Sequence, residues 1–209
     1  MRTKTYFLAV MFVMFIGSIL FAQKPKQITG DFSKLKGQKE VNLVFDYSNV
    51  NVGKIPEADY IKKKMADADK KVPGDGKRWA AAWQSDKIHK YQVQFKKFLN
   101  EGLGKLNLKA DTGHKSAKYS LVVKVIMIEP GFATGTIGSK ESYLTAEVML
   151  IETSNPGNEL ASLLYQEVRN RHYNKYLGSE NNFDTGTRVA GVFGTVGELL
   201  GKYLQKAVK

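Results

Sequence analysis

A chain of 209 residues that is 43% hydrophobic and 25% charged has enough apolar material for one sizeable core, which excludes disorder as its main state. Thirty-two Lys and Arg against 20 Asp and Glu give a formal charge of +12, and there is no cysteine. That zero excludes disulfides, thiolate nucleophiles, Cys-based zinc sites and the lipidated N-terminal cysteine of bacterial lipoproteins.

Residues 1–22 have the layout of a secretory signal peptide: Arg2 and Lys4, the apolar run 7–21, then Ala22 before Gln23. The rival reading is a retained membrane anchor, but a run of fifteen residues falls short of the roughly 20 that a spanning helix needs. Leu20, three before the cut, is larger than a cleavage site prefers. Cleavage after Ala22 removes only two charges and leaves a net +10. Export without cysteine points to a bacterial periplasm or outer surface, with no transmembrane segment after cleavage and no nucleic-acid partner.

Residues 23–40 carry five lysines around Gly30 and Gly37 and read as a flexible lead-in to a single domain at 41–209. Alternating Val41, Leu43 and Phe45 predict a strand over 41–47. From Pro56 the apolar spacing changes to three and four (Ala58, Ile61, Met65, Ala68, Val72), which predicts a helix ending before the Pro-Gly pair at 73–74. A short helical turn follows, with Trp79 and Trp83 one turn apart. Ser85 or Asp86 then caps a longer helix carrying Ile88, Tyr91, Phe95, Phe98, Leu99, Leu103 and Leu106.

Beyond residue 118 the period is two. The segment 119–129 is apolar on both faces, which predicts a central strand covered at least partly on both sides. A second strand over 142–152, the turn Asn155-Pro156-Gly157 and a third strand over 160–168 read as a hairpin. Residues 169–186 read as a polar and aromatic loop. Residues 187–207 form an apolar-striped helix from Val189 to Leu204. The expected fold is α+β: a mixed or antiparallel sheet of about four strands, in β-α-α-β-β-β-α order, with helices packed on it.

The charge is uneven, since residues 54–109 hold 14 basic and 7 acidic side chains. Lys62, Lys63, Lys64, Lys77 and Arg78, beside Trp79 and Trp83, therefore make a candidate docking face for an anionic surface. The competing reading has lysines solvating two helices while the tryptophans anchor the core. Gly191, Gly194, Gly197 and Gly201 recur along the last helix, and each costs about 1 kcal/mol against Ala. Close packing within the chain is the expected compensation, with self-association or membrane contact as the alternatives.

No chemistry announces itself. His89, His114 and His172 share no metal-binding spacing, no serine sits in a Gly-x-Ser-x-Gly elbow, and no catalytic or cofactor-binding residue is assigned. The glycine-rich stretch 131–138 matches no dinucleotide or phosphate loop and reads as a flexible hairpin connection. Glu129, Glu147, Glu167 and Asp184 are the carboxylates that a glycoside hydrolase would need to pair.

The element order resembles the small α/β modules of Gram-negative envelope proteins, such as the amino-terminal domain of the Tol translocation protein and the curli-secretion and penicillin-binding-protein-activating lipoproteins. The chain is also similar to uncharacterised secreted envelope proteins in Asp-Phe-Ser-x-Leu-x-Gly at 31–37, Phe-Asp-Tyr-Ser at 45–48, Glu-Pro-Gly-Phe at 129–132 and Phe-Asp-Thr-Gly at 183–186. The resemblance implies a periplasmic, non-catalytic interaction module and carries over no catalytic residue. The absent lipidation cysteine departs from the lipoprotein members. Three functions are thus expected in order: binding of an envelope protein or component without chemistry, binding of an anionic glycan or lipid through the basic helical face, and carboxylate-dependent hydrolysis.

Overall fold

A computed structural model describes residues 25–133, 138–171 and 184–208. The segment expected as a signal peptide, His172 and most of the 169–186 loop lie outside the described residues. Among these residues ten strands and four α-helices follow one another in an α+β arrangement. Strands β1 (Lys26–Gly30), β2 (Glu40–Asp46), β3 (Asn51–Val52) and β4 (Ile55–Pro56) precede α1 (Glu57–Asp69) and α2 (Asp75–Asp86). A π-helical turn, Lys87–Tyr91, runs directly into α3 (Gln92–Leu103). Then come β5 (Lys109–Asp111), β6 (Tyr119–Glu129), β7 (Phe132–Ala133), β8 (Ser139–Lys140), β9 (Tyr143–Glu152), β10 (Asn155–Arg169) and α4 (Thr185–Ala207).

The main sheet has eight strands, not about four. Its spine is β1-β10-β9-β6-β2-β5, antiparallel from β1 to β6 and parallel across β6, β2 and β5; the β3–β4 pair joins beside β6. β7 and β8 form a separate antiparallel pair. The long strands are those whose alternation the sequence displays. The added ones are two to five residues long, too short for a period of two to register.

Residues 23–40 are also more than a lead-in. β1 pairs along β10, and Phe32 and Leu35 are buried, with Phe32 meeting Tyr203 edge-on at 5.8 Å. The lysines and glycines around them mask two apolar anchors that stitch this segment to the far end of α4.

α3 and α4 cover one face of the sheet. That face carries Val41, Leu43, Leu121, Val123, Ala146, Val148 and Leu163, all buried, and Phe45 meets Phe95 of α3 at 5.3 Å. The other face is covered in part, as expected for β6: Asn42, Ser120, Ile151 and Ser162 are buried on it, beside a more open strip. Val44 stays 38% exposed there, and Val122, Ile126 and Met149 are half-buried by neighbouring side chains. Asp46, Lys124 and Glu147 sit side by side in register across this face, a run of alternating charge.

The glycines of α4 are absorbed by helix packing. A Cβ at Gly197 would stand 2.3 Å from the Phe95 carbonyl oxygen, one at Gly194 would strike the Phe98 ring, and Gly201 faces Gly102 of α3. Two backbones thus approach more closely than any side chain permits, and the buried contact offsets the helix-propensity cost. Gly191 faces Asn170 instead.

Candidate functional site

The expected docking face lies on α1 and α2, and its centre is an aromatic column. Trp79 and Trp83, one helical turn apart, stack at 5.7 Å with their planes 14° apart. Tyr60 of α1 leans on both, at 5.8 and 5.3 Å. Trp83 meets Tyr91 at 6.3 Å, and Tyr91 stacks on Phe193 of α4 at 5.1 Å. The column therefore runs from α1 to the heart of the core. Trp83 is only 3% exposed and serves the core, while Trp79 is half-buried. Burial raises the Tyr60 phenol to about 12, helped by the negative charge of Glu129.

One residue that the sequence reading passed over holds this column. The Glu57 carboxylate accepts a hydrogen bond from Trp83 Nε1–H at 2.7 Å and another from the Lys87 ammonium, also at 2.7 Å. Both charged side chains are largely withdrawn from water, at 9% exposure for Lys87 and 14% for Glu57. Lys87 Nζ also lies 4.9 Å from the centre of the Tyr47 ring. A charge-assisted bond to each carboxylate oxygen is what makes burial of the pair tolerable.

The π turn puts Lys87 there. Trp83, Lys87, Tyr91, Phe95 and Leu99 are all buried, a spacing of four sustained over five positions. Such a row drifts around a regular helix of 3.6 residues per turn, and a wider turn at 87–91 cancels the drift. Its consequence is that Ile88, expected on the packed side, is 58% exposed. A continuous helix also replaces the expected break and cap at Ser85 or Asp86.

The basic residues divide into two groups. Lys62, Lys63 and Lys77 are exposed and have no carboxylate within ion-pair distance among the described residues. Lys64 instead covers the Tyr60 ring at 5.6 Å, and Arg78 pairs with Asp75. Residues 57–86 hold seven basic and six acidic side chains, whereas 87–109 hold six basic and one acidic. Most of the excess thus lies in 87–109, not on the α1–α2 pair, although Lys87, Lys90 and Lys96 there are paired with Glu57, Asp86 and Asp111. The acids of α1 and α2 are largely committed inside the chain. Glu57 holds Trp83 and Lys87, Asp69 accepts from the Gly74 and Gly76 N–H groups, and Asp86 pairs with Lys90.

Elsewhere, a cavity of about 320 Å³ opens at the start of α4, lined by Lys140, Ser142, Asn170, Arg171 and Arg188 among others. Arg188 is 6% exposed and donates to the Pro130 and Gly131 carbonyls and to Thr185 Oγ1. Of the four carboxylates considered for hydrolysis, none lines this cavity. Glu129 pairs with Lys140 at 2.7 Å, Glu147 lies mid-strand beside Lys124, and Glu167 sits at an irregularity of β10 with φ 47°. Asp184 caps α4 by accepting from Thr187 N–H and also binds Lys90. Burial acts to raise the Asp184 carboxyl, but the bonds from Thr187 and Lys90 outweigh it and hold it at about 2. Among the described residues no three His, Asp or Glu side chains gather as metal ligands, and no helix is long and apolar enough to cross a membrane.

No family model matches this sequence, and no curated protein does. Solved structures offer a distant likeness. The chain is similar to the PelC dodecamer from Paraburkholderia phytofirmans, at 14% identity and a TM-score of 0.39 over 85% of this chain and 98% of that one. A variant of the same dodecamer aligns over the same shares at 13% identity, with a TM-score of 0.37.

Proposed function

We propose that the protein is a non-catalytic binding module of the bacterial envelope that docks an anionic envelope component through its helical layer. The observation that carries this reading is the outer surface of α1 and α2. Lys62, Lys63 and Lys77 stand exposed with no carboxylate partner among the described residues, on helices held in place by the Tyr60, Trp79 and Trp83 stack. Uncommitted ammonium groups on an ordered scaffold can meet an anion without first breaking ion pairs. The signal-peptide layout and the resemblance to envelope modules support the compartment.

The tryptophans have a supporting part: they set the helices on which the lysines stand. Binding of a polyanionic glycan, measured by titration between 50 and 300 mM salt, is expected to weaken steadily with salt as exposed charges are screened. The triple variant Lys62→Glu, Lys63→Glu, Lys77→Glu is expected to lose it. Binding that ignores both salt and charge reversal would overturn the reading.

A further inference from the structure

The Glu57 clamp looks inward as a structural brace, but its chemistry is that of a ligand site already filled. Two donors converge on one carboxylate at 2.7 Å each, an indole N–H and an ammonium, beside the stacked faces of Trp79 and Trp83. Indole faces beside a cation and an N–H donor are a combination suited to an acidic sugar ring: the faces take its C–H side and the donors take its carboxylate. In the closed protein Glu57 supplies the carboxylate and Tyr60 takes the place of the ring, leaning on both tryptophans.

The element that carries these two stand-ins is the least buried α-helix of the described chain. α1 has no buried residue, whereas α4 has fifteen. Gly53, at φ 61°, precedes it, and the link of 70–74 after it ends at Gly74, at φ 92°. Segments with little buried surface open at lower free energy than the core they rest on. Opening of α1 would carry Glu57 and Tyr60 away together. It would leave the Lys87 ammonium, the Trp83 N–H and the sides of the two indoles that Tyr60 covers open on the α2–α3 helix.

We propose that Glu57 occupies, from within the chain, a site for the carboxylate of a uronic-acid unit, and that α1 opens to admit that unit in its place. This rests on the anionic-component reading above and names the class of component. The exposed Lys62, Lys63 and Lys77 would draw the polyanion to the very helix that must move.

The test is titration of the full chain with a galacturonate oligosaccharide, with its neutral reduced counterpart and an oligoglutamate as separate arms. Glu57→Gln keeps the side chain's shape and removes its charge, leaving Lys87 without an internal anion. It is expected to bind the galacturonate probe at least about tenfold more tightly than the parent, because the competent state is no longer a minor one. Adding Lys87→Met to Glu57→Gln is expected to abolish the gain. Unchanged or weaker binding by a Glu57→Gln protein with native circular dichroism would overturn the proposal. So would an equal gain for oligoglutamate or for the neutral sugar. If Glu57→Gln does not fold, competition on the parent protein decides: the galacturonate probe must accelerate hydrogen exchange across 57–69, and protection or no change there contradicts displacement. The two readings fail separately. Charge reversal at Lys62, Lys63 and Lys77 tests the outer face and leaves the Glu57 site intact, so either result can stand without the other.

Discussion

The α3–α4 pair and the α1–α2 pair are both two helices in contact, yet they differ in how much of each is buried. Between α3 and α4 the backbones nearly touch, through Gly197 against Phe95 and Gly201 against Gly102, and α4 is buried along most of its length. Between α1 and α2 side chains carry most of the contact: three aromatic rings, the Glu57 carboxylate that reaches across, and Asp69, which accepts from the Gly74 and Gly76 N–H groups where the Gly76 backbone comes close to the Met65 carbonyl. Close packing cannot loosen by degrees, since every atom depends on its neighbours. A contact made by a few side chains of an unburied helix can open whole and close again. The difference separates a permanent framework from an element free to respond to a ligand.

Substitutions in the two regions sharpen this contrast. The largest effect is expected for Phe193→Ala, which empties a fully buried site stacked on Tyr91 and should cost about 3–5 kcal/mol in denaturant unfolding. Gly197→Ala comes next. Its Cβ has backbone, not a flexible side chain, to displace, so a loss of roughly 1–3 kcal/mol is expected, with a lower melting temperature for the whole molecule. A neutral result there would mean that the two helices are not in close contact.

Smaller effects test the electrostatics and the register. Asp184 is held at about 2 in the folded chain against an ordinary 3.8, so its charge contributes stability that is fully present above pH 3.8 and is lost as pH falls through about 2. Asp184→Asn keeps an N-cap but not the charge. Its melting temperature is expected to lie slightly below that of the parent at neutral pH and to converge with it toward pH 2. The smallest effect is expected for Ile88→Glu. The π turn leaves Ile88 58% exposed, so stability should move by no more than about 0.5 kcal/mol. A loss of several kcal/mol would place Ile88 in the core and contradict the turn.

Much of the framework was legible because long elements write their period into the sequence. The strand 119–129 coincides with β6, and the stripe from Val189 to Leu204 marks α4, whose glycines were also read correctly as close packing within the chain. Strand β1 and the anchors Phe32 and Leu35 were hidden among lysines and glycines, and β3, β4 and β5 are too short to show alternation. The clamp was hidden for another reason. Glu57 is one of several acids near a helix start, and Lys87 looked like one more solvating lysine in a basic stretch. A signal was present in the row Trp83, Lys87, Tyr91, Phe95, Leu99. The sustained spacing of four calls for a wider helical turn and the lysine within it for a buried acid, but that acid, Glu57, is thirty residues away in sequence.

Hydrogen exchange resolved by segment, on the full chain without ligand, tests the contrast most directly. Amides of α1 are expected to exchange through a local opening well below the free energy of global unfolding, while those of α3 and α4 exchange only when the whole molecule unfolds. Glu57→Gln should raise exchange across 57–69 and leave α4 unchanged. Exchange of α1 and α4 at one common free energy, in both the parent and the variant, would show that the two helix pairs are a single cooperative unit and that Glu57 clamps nothing that moves.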